Sequence, residues 1–92
     1  MLNIMSEYLV EWSHTPQECL TGLDRFVEQS PKALDTFAFG CLSGEHKGWA
    51  IVQGENESSV RQLVPADIRG EARVVKLSKF TPEQIRMAHE QH

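Results

Sequence analysis

Alternating hydrophobic and polar positions predict a β-strand near the start of the chain. Within residues 8–14, Val10, Trp12 and His14 alternate with Glu11 and Ser13. Segments 36–42, 47–53 and 73–80 are similarly rich in aromatic and β-branched side chains, so we predict four strands in all. Residues 43–46 supply turn chemistry, which joins the second and third strands in a hairpin.

The first strand is followed at once by a strong helix-start signal, Thr15-Pro16-Gln17-Glu18. Thr15 suits the N-cap, Pro16 the first helical position, and Glu18 completes a capping box. Apolar residues then recur at helical spacing and predict one buried face, formed by Cys19, Leu20, Leu23, Phe26 and Val27. Ser30-Pro31 ends this helix, because a proline disfavours helical geometry in the residue before it.

Two further helices complete the chain. Asn56 is the predicted N-cap of a short helix that stops at Pro65. Thr81 begins a second pattern of N-cap, proline and capping box, which predicts a terminal helix over about 82–91. The order is β-α-β-β-α-β plus one helix, the ferredoxin-like arrangement of a four-stranded antiparallel sheet with two helices on one face. We therefore predict an α+β fold in a single domain, 1–92, with its core over about 7–80.

Two helices cover only one face of such a sheet, so the other face needs a partner. The second predicted strand is apolar on both parities, whereas a half-solvated strand alternates. The apolar positions are Phe37, Phe39 and Cys41 on one parity, and Ala38, Gly40 and Leu42 on the other. We expect a homodimer packed sheet to sheet; the alternative is a terminal helix that folds back over its own sheet.

Composition then excludes several classes of protein. The chain has 92 residues and a formal charge of −4 with no basic block, which argues against nucleic acid as a partner. It lacks the run of roughly 18 apolar residues that a membrane span needs. The start has no basic n-region, so we expect no signal peptide and a cytoplasmic protein whose two cysteines stay reduced. Met5 is an alternative start to Met1.

Four residues of metal-ligand type are predicted to meet at one edge of the sheet. The first and second strands run parallel in this topology, so His14 and Cys41 end at the same edge, with His46 in the loop just beyond. Cys19 is in the first turn of the helix that starts there. Two Cys and two His suit zinc, nickel or iron, although the spacing is not a named metal motif. The open alternative is that these residues belong to the core or orient the helix and turn.

Other candidate residues have simpler alternative explanations. His89 and His92 are three apart on the terminal helix and could ligate a metal, but chain ends are often mobile. Glu11 could act as a base or pair with Lys76 across the sheet. The aromatic residues could line a pocket for a flat ligand or pack in the core; they are Trp12, Phe37, Phe39 and Trp49.

Several stretches resemble the dimeric α/β-barrel superfamily, especially its short bacterial and archaeal members. They are Tyr8-Leu9-Val10-Glu11-Trp12, the helix around Arg25-Phe26, Gly48-Trp49-Ala50-Ile51-Val52-Gln53 and Val74-Val75-Lys76-Leu77. The resemblance covers roughly 7–80 and implies a homodimer whose two sheets enclose a cavity. The superfamily includes antibiotic-biosynthesis-type monooxygenases, muconolactone isomerases, haem-dependent peroxidase-like enzymes and small nickel-binding proteins. Their functional residues do not match this chain position by position, so the resemblance implies no catalytic residue.

Three functional hypotheses follow. The first is a small binding or sensing protein that holds a transition metal or small ligand through His14, Cys41, His46 and Cys19. The second is a monooxygenase- or isomerase-type enzyme with an apolar cavity between the sheets. The third is a structural or regulatory module without a ligand.

Overall fold

The computed structural model describes residues 5–91, and its centre is a four-stranded antiparallel sheet. The strands are β1 (Ser6–Ser13), β2 (Ala38–Phe39), β3 (Lys47–Gly54) and β4 (Ala72–Leu77). Their order is β2-β3-β1-β4, so β1 is central and pairs with both β3 and β4. The predicted α+β class and antiparallel sheet are confirmed, and the fold is compatible with the ferredoxin-like arrangement. Met1 lies outside the described residues, so Met5 as an alternative start stays a prediction.

Of the four helices, three follow the predicted capping signals and the second has no side-chain cap. They are α1 (Cys19–Gln29), α2 (Ala33–Thr36), α3 (Glu57–Arg61) and α4 (Pro82–Glu90). Thr15 and Glu18 form the predicted capping box, although the first turn, Pro16–Glu18, is a tighter 3₁₀ turn. Asn56 caps α3 through its side chain, and Thr81 forms a second capping box at α4.

The core lies between one face of the sheet and the first three helices. Alternate residues of β1 point into it, and Val10 and Trp12 are fully buried there. Phe26 of α1 packs its ring 5.3 Å from that of Trp12 and 5.2 Å from that of Phe37. The expected burial of Leu20 and Val27 is wrong, since these residues are 75% and 58% exposed. They lie seven residues apart on the flank of α1, whereas the Phe26 side of the helix meets the sheet.

The predicted second strand, 36–42, is also wrong in extent. Thr36 is the last residue of α2, and only Ala38 and Phe39 pair with β3. After Gly40 the chain turns away, because the Gly40 carbonyl accepts hydrogen bonds from the N–H groups of Ser43 and Glu45. Residues 41–43 therefore form a 3₁₀ turn, and Leu42 is fully exposed instead of lying in the sheet.

The opposite face of the sheet, here called the bare face, carries apolar side chains that no helix within residues 5–91 covers. Leu9 lies between Ile51 of β3 and Val75 of β4 in the register of the strands, and Ile51 is 61% exposed. Every residue from 78 to 91 is exposed, so α4 does not fold back over this face. The radius of gyration is 16.2 Å, against about 12 Å for a compact chain of this length. Thus α4 projects from the body of the protein.

Candidate metal centre

The four predicted ligand residues lie together at one edge of the sheet. His14 follows β1, Cys19 is the first residue of α1, Cys41 opens the turn after β2, and His46 precedes β3. Because β1 and β2 are both antiparallel to β3, they end at the same edge. One ligand atom from each of the four residues lies within 4.8 Å of the others, and this group could hold a metal ion. We call these four residues the Cys/His cluster.

Local backbone structure brings these side chains together. The Thr15 cap starts a helix immediately after β1, so His14 and Cys19 stay at the same end of the protein. The N–H of His14 donates to the carbonyl of His46 at 3.1 Å, which ties the β1 end to the loop before β3. A 3₁₀ turn follows Gly40 in place of the predicted continuation of the second strand. This turn directs Cys41 toward His14.

The two imidazole rings are held by packing more than by hydrogen bonds. The ring of His14 stacks on that of Trp12 with centroids 4.1 Å apart. The ring of His46 meets the ring of His14 edge-on, with centroids 5.5 Å apart. Nε2 of His14 lies 3.3 Å from Sγ of Cys41. Within residues 5–91, Nδ1 of each histidine is buried and finds no hydrogen-bond partner. Such an unsatisfied atom costs about 1–3 kcal/mol, so a bound cation would relieve a real cost.

The donor spacing fits a tetrahedral ion. Zinc bonds to sulfur at about 2.3 Å and to nitrogen at about 2.05 Å, which places neighbouring donors roughly 3.3–3.8 Å apart. The ligand atoms of the group lie within 4.8 Å of one another, so the most widely separated of them must close by up to about 1 Å around an ion. All four residues are half-buried, so an ion can enter from solvent.

Electrostatics favours the neutral forms of His14 and Cys19 in the ion-free cluster. Desolvation, reinforced by the neighbouring His46, lowers the pKa of His14, while Glu71 and Glu18 oppose this shift. A hydrogen bond with Cys41, together with desolvation, raises the pKa of Cys19. The neutral imidazole is the form that binds a metal, whereas Cys19 must release its proton when an ion binds.

The lowered pKa of His14 predicts a pH-dependent stability of the metal-free protein. A histidine with a lowered pKa binds protons less readily in the folded state, so its contribution is fully present above the unfolded value of about 6.5. This contribution to stability is lost as the pH falls from about 6.5 through the pKa that His14 has in the folded protein. We expect His14→Gln to reduce the loss of stability between about pH 7.5 and about pH 5.5 in chelator-treated protein, measured by urea denaturation.

The matched control is His89→Gln, because His89 is exposed on α4. This variant should retain the acid sensitivity of the original chain. An identical loss of stability in the original chain and in His14→Gln would contradict the assignment of the effect to His14.

The other predicted candidates lie apart from this cluster. His89 is exposed on α4, and its suggested partner His92 lies outside the described residues. Glu11 does not pair with Lys76. Its carboxylate accepts a hydrogen bond from Nε1 of Trp49 at 3.0 Å and forms an ion pair with Nε of Arg73 at 3.5 Å. The strand register explains the difference, because it sets Arg73 opposite Glu11 and Lys76 opposite Tyr8 on the other face.

Of the two alternatives for the aromatic residues, core packing holds for three of the four. Trp12, Phe37 and Phe39 pack against Phe26 in the core, whereas Trp49 lies on the bare face. Beside Trp49 there is a wide-open depression of about 340 Å³, lined by Leu9, Thr36, Ala38, Trp49, Ala50 and Ile51. The cavity of the enzyme hypothesis would lie between two sheets, and in a single chain this face is open.

Sequence reasoning missed the support for His14. Trp12 stacks on the imidazole, and its Nε1 donates to Glu71 at 2.9 Å, which fixes the indole. The signal was present, since residues two apart on a strand point to the same face. Glu71 follows Gly70 in a 3₁₀ segment, and nothing in the local sequence indicated its contact.

Fold and site together define an α+β protein with a Cys/His cluster that could hold a metal ion. In comparisons with known proteins, the chain matches no protein-family model, no curated protein and no solved structure. No helix within residues 5–91 is both long and apolar enough to cross a membrane. The chemistry of the cluster is therefore the basis for assigning a function.

Proposed function

We propose that this protein binds a divalent transition metal through His14, Cys19, Cys41 and His46. The observation that carries the proposal is the convergence of two thiols and two imidazoles, with ligand atoms within 4.8 Å, from separate segments of the chain. The buried Nδ1 atoms of both histidines, which lack partners in the described chain, add support. Chance surface clusters are usually acidic and exposed; these residues are half-buried.

Zinc is the ion that the donor set favours. Two thiolates and two imidazoles form a common tetrahedral ligand set for zinc, and zinc has no electronic preference for another geometry. Nickel and iron accept the same soft and borderline donors, so they are the competing ions. Magnesium and calcium prefer oxygen ligands and should not bind here.

A binding or sensing role suits the site better than catalysis. Catalytic zinc sites keep one position open for water or substrate, whereas sites with four protein donors are closed. The cluster offers four donors to a tetrahedral ion, so no position remains for a substrate. This argument favours a binding or sensing role over catalysis at the cluster itself.

The test is metal binding by protein purified in the absence of chelator. We expect about one zinc per chain by elemental analysis, and uptake of cobalt with the absorption spectrum of a tetrahedral thiolate site. The double variant His14→Ala, His46→Ala should lose both signals. The matched control replaces the other two histidines, His89 and His92, and should keep them. Absence of zinc, nickel and iron in the purified protein, with no uptake of any of them, would overturn the proposal.

We also propose that two copies associate through their bare faces, as ferredoxin-like βαββαβ chains of the dimeric α/β-barrel type do. Support comes from the strand order and from Leu9, Ile51 and Val75, which form an apolar row across three strands. Association would remove this row from water at about 25 cal/mol per Å² of apolar surface.

The change Ile51→Lys tests the dimer. It places a charge within the proposed interface, so we expect a dimer in the original chain and a monomer in the variant by sedimentation equilibrium. Val27→Lys is the matched control, because Val27 is similarly exposed (58% against 61%) but lies on α1. A monomeric original chain, or equal dissociation by both variants, would count against the proposal.

A further inference from the structure

The two cysteines of the Cys/His cluster are close enough for a reaction that needs no metal. Their sulfurs lie within the 4.8 Å that bounds the group. A disulfide requires the sulfurs to close to about 2 Å. This displacement is of the size that rotation about the two Cα–Cβ bonds provides, and Cys41 lies in a turn outside the sheet.

We infer that Cys19 and Cys41 form a reversible disulfide when the protein meets a hydroperoxide, and that this disulfide and the metal exclude each other. The inference rests on the proposed function for the metal half of the switch. A metal site built on thiolates loses half of its donors when the sulfurs join, because a disulfide sulfur carries no thiolate charge. Two neutral imidazoles remain, too few for the tetrahedral site.

The oxidation balances with hydrogen peroxide as the oxidant. The sulfur of Cys41 attacks one peroxide oxygen, the O–O bond breaks, and Cys41 becomes a sulfenic acid as one water leaves. His14 Nε2, 3.3 Å from that sulfur, is placed to take the thiol proton and pass it to the departing hydroxide. The thiol of Cys19 then attacks the sulfenic sulfur, the S–S bond forms, and a second water leaves. The two thiols lose two electrons and the peroxide gains them.

The metal-loaded protein reacts with the same electron balance. Two zinc-bound thiolates, one hydrogen peroxide and two protons give one disulfide, one free zinc ion and two waters. Zinc itself has no redox chemistry, so the electrons come only from sulfur. The centre would therefore convert an oxidant signal into release of its ion.

A peroxide titration of the zinc-loaded protein, followed by a chromophoric zinc chelator, thiol counting and intact mass, tests the inference. We expect about one zinc released for each disulfide formed, a mass loss of two hydrogens within a single chain, and recovery of zinc binding after reduction by dithiothreitol. The chain has only two cysteines, so the assignment is unambiguous.

The single variants Cys19→Ser and Cys41→Ser provide the matched comparison. Cys19→Ser should gain oxygen on Cys41, Cys41→Ser should react with peroxide much more slowly, and neither should show an intrachain mass loss. Disulfides formed only between chains, or zinc release from the original chain without an intrachain disulfide, would overturn the inference. Failure of the untreated, reduced protein to bind zinc overturns the proposed function instead. A peroxide titration of the metal-free protein, followed by the same thiol count and intact mass, then still reports whether the disulfide forms.

Discussion

Replacing Gly22 with alanine is expected to destabilise the protein by about 1–3 kcal/mol, although alanine normally stabilises a helix interior by about 1 kcal/mol relative to glycine. A Cβ at this position of α1 would overlap Cζ2 and Cη2 of Trp12. The indole of Trp12 cannot easily move, because it is fully buried, donates a hydrogen bond to Glu71 and stacks on the ring of His14. Urea denaturation of the metal-free protein measures the effect.

Gly70→Ala is the control for this prediction. A Cβ at Gly70 meets no atom within 4 Å, and its backbone is not in the left-handed region, so this variant should be neutral or slightly stabilised. Because Trp12 supports the imidazole of His14, Gly22→Ala should also weaken zinc binding while Gly70→Ala leaves it unchanged. Full stability in Gly22→Ala would show that α1 is not held against the indole as described.

Zinc is expected to raise the free energy of unfolding by about 4 kcal/mol when free zinc exceeds the dissociation constant about a thousandfold. The physical reason is that the complete donor set exists only in the folded chain. The unfolded chain keeps two separate pairs, His14 with Cys19 and Cys41 with His46, and each supplies half of the ligands. Residual binding by these pairs will reduce the gain. Thermal or urea denaturation at increasing free zinc measures it.

Two controls separate site binding from general salt effects. Magnesium at the same concentration should leave stability unchanged, because it prefers oxygen ligands. The double variant Cys19→Ser, Cys41→Ser should show little response to zinc. Equal stabilisation of this variant and the original chain would place the bound zinc elsewhere.

Local signals predicted most of the fold. The Thr15 and Thr81 capping boxes are short-range interactions that the sequence specifies directly, and the structure contains both. The errors lie where tertiary contacts or backbone hydrogen bonds outweigh side-chain preference. The segment from Thr36 to Leu42 is apolar enough for a strand, yet hydrogen bonds to the Gly40 carbonyl turn the chain after only two paired residues.

The candidate site was predictable because it depends on topology more than on detail. Once β1 and β2 were assigned the same direction, His14 and Cys41 had to end at one edge. The contributions of Trp12 and Glu71 could not be found in the same way, since Glu71 is 59 residues from Trp12 and meets it only through the packing of the whole domain. Contacts of that range follow from three-dimensional packing, which no local pattern encodes.

The projecting position of α4 has a consequence for how this protein can evolve. Since residues 78–91 are exposed throughout, substitutions there should scarcely affect folding of the body of the chain. Ile85 and Met87 are each 49% exposed and contribute nothing to the buried core of the described residues. In a library of random variants selected for folding alone, both positions should accept most other residues. Any intolerance found there under selection for biological function would map a contact with another molecule.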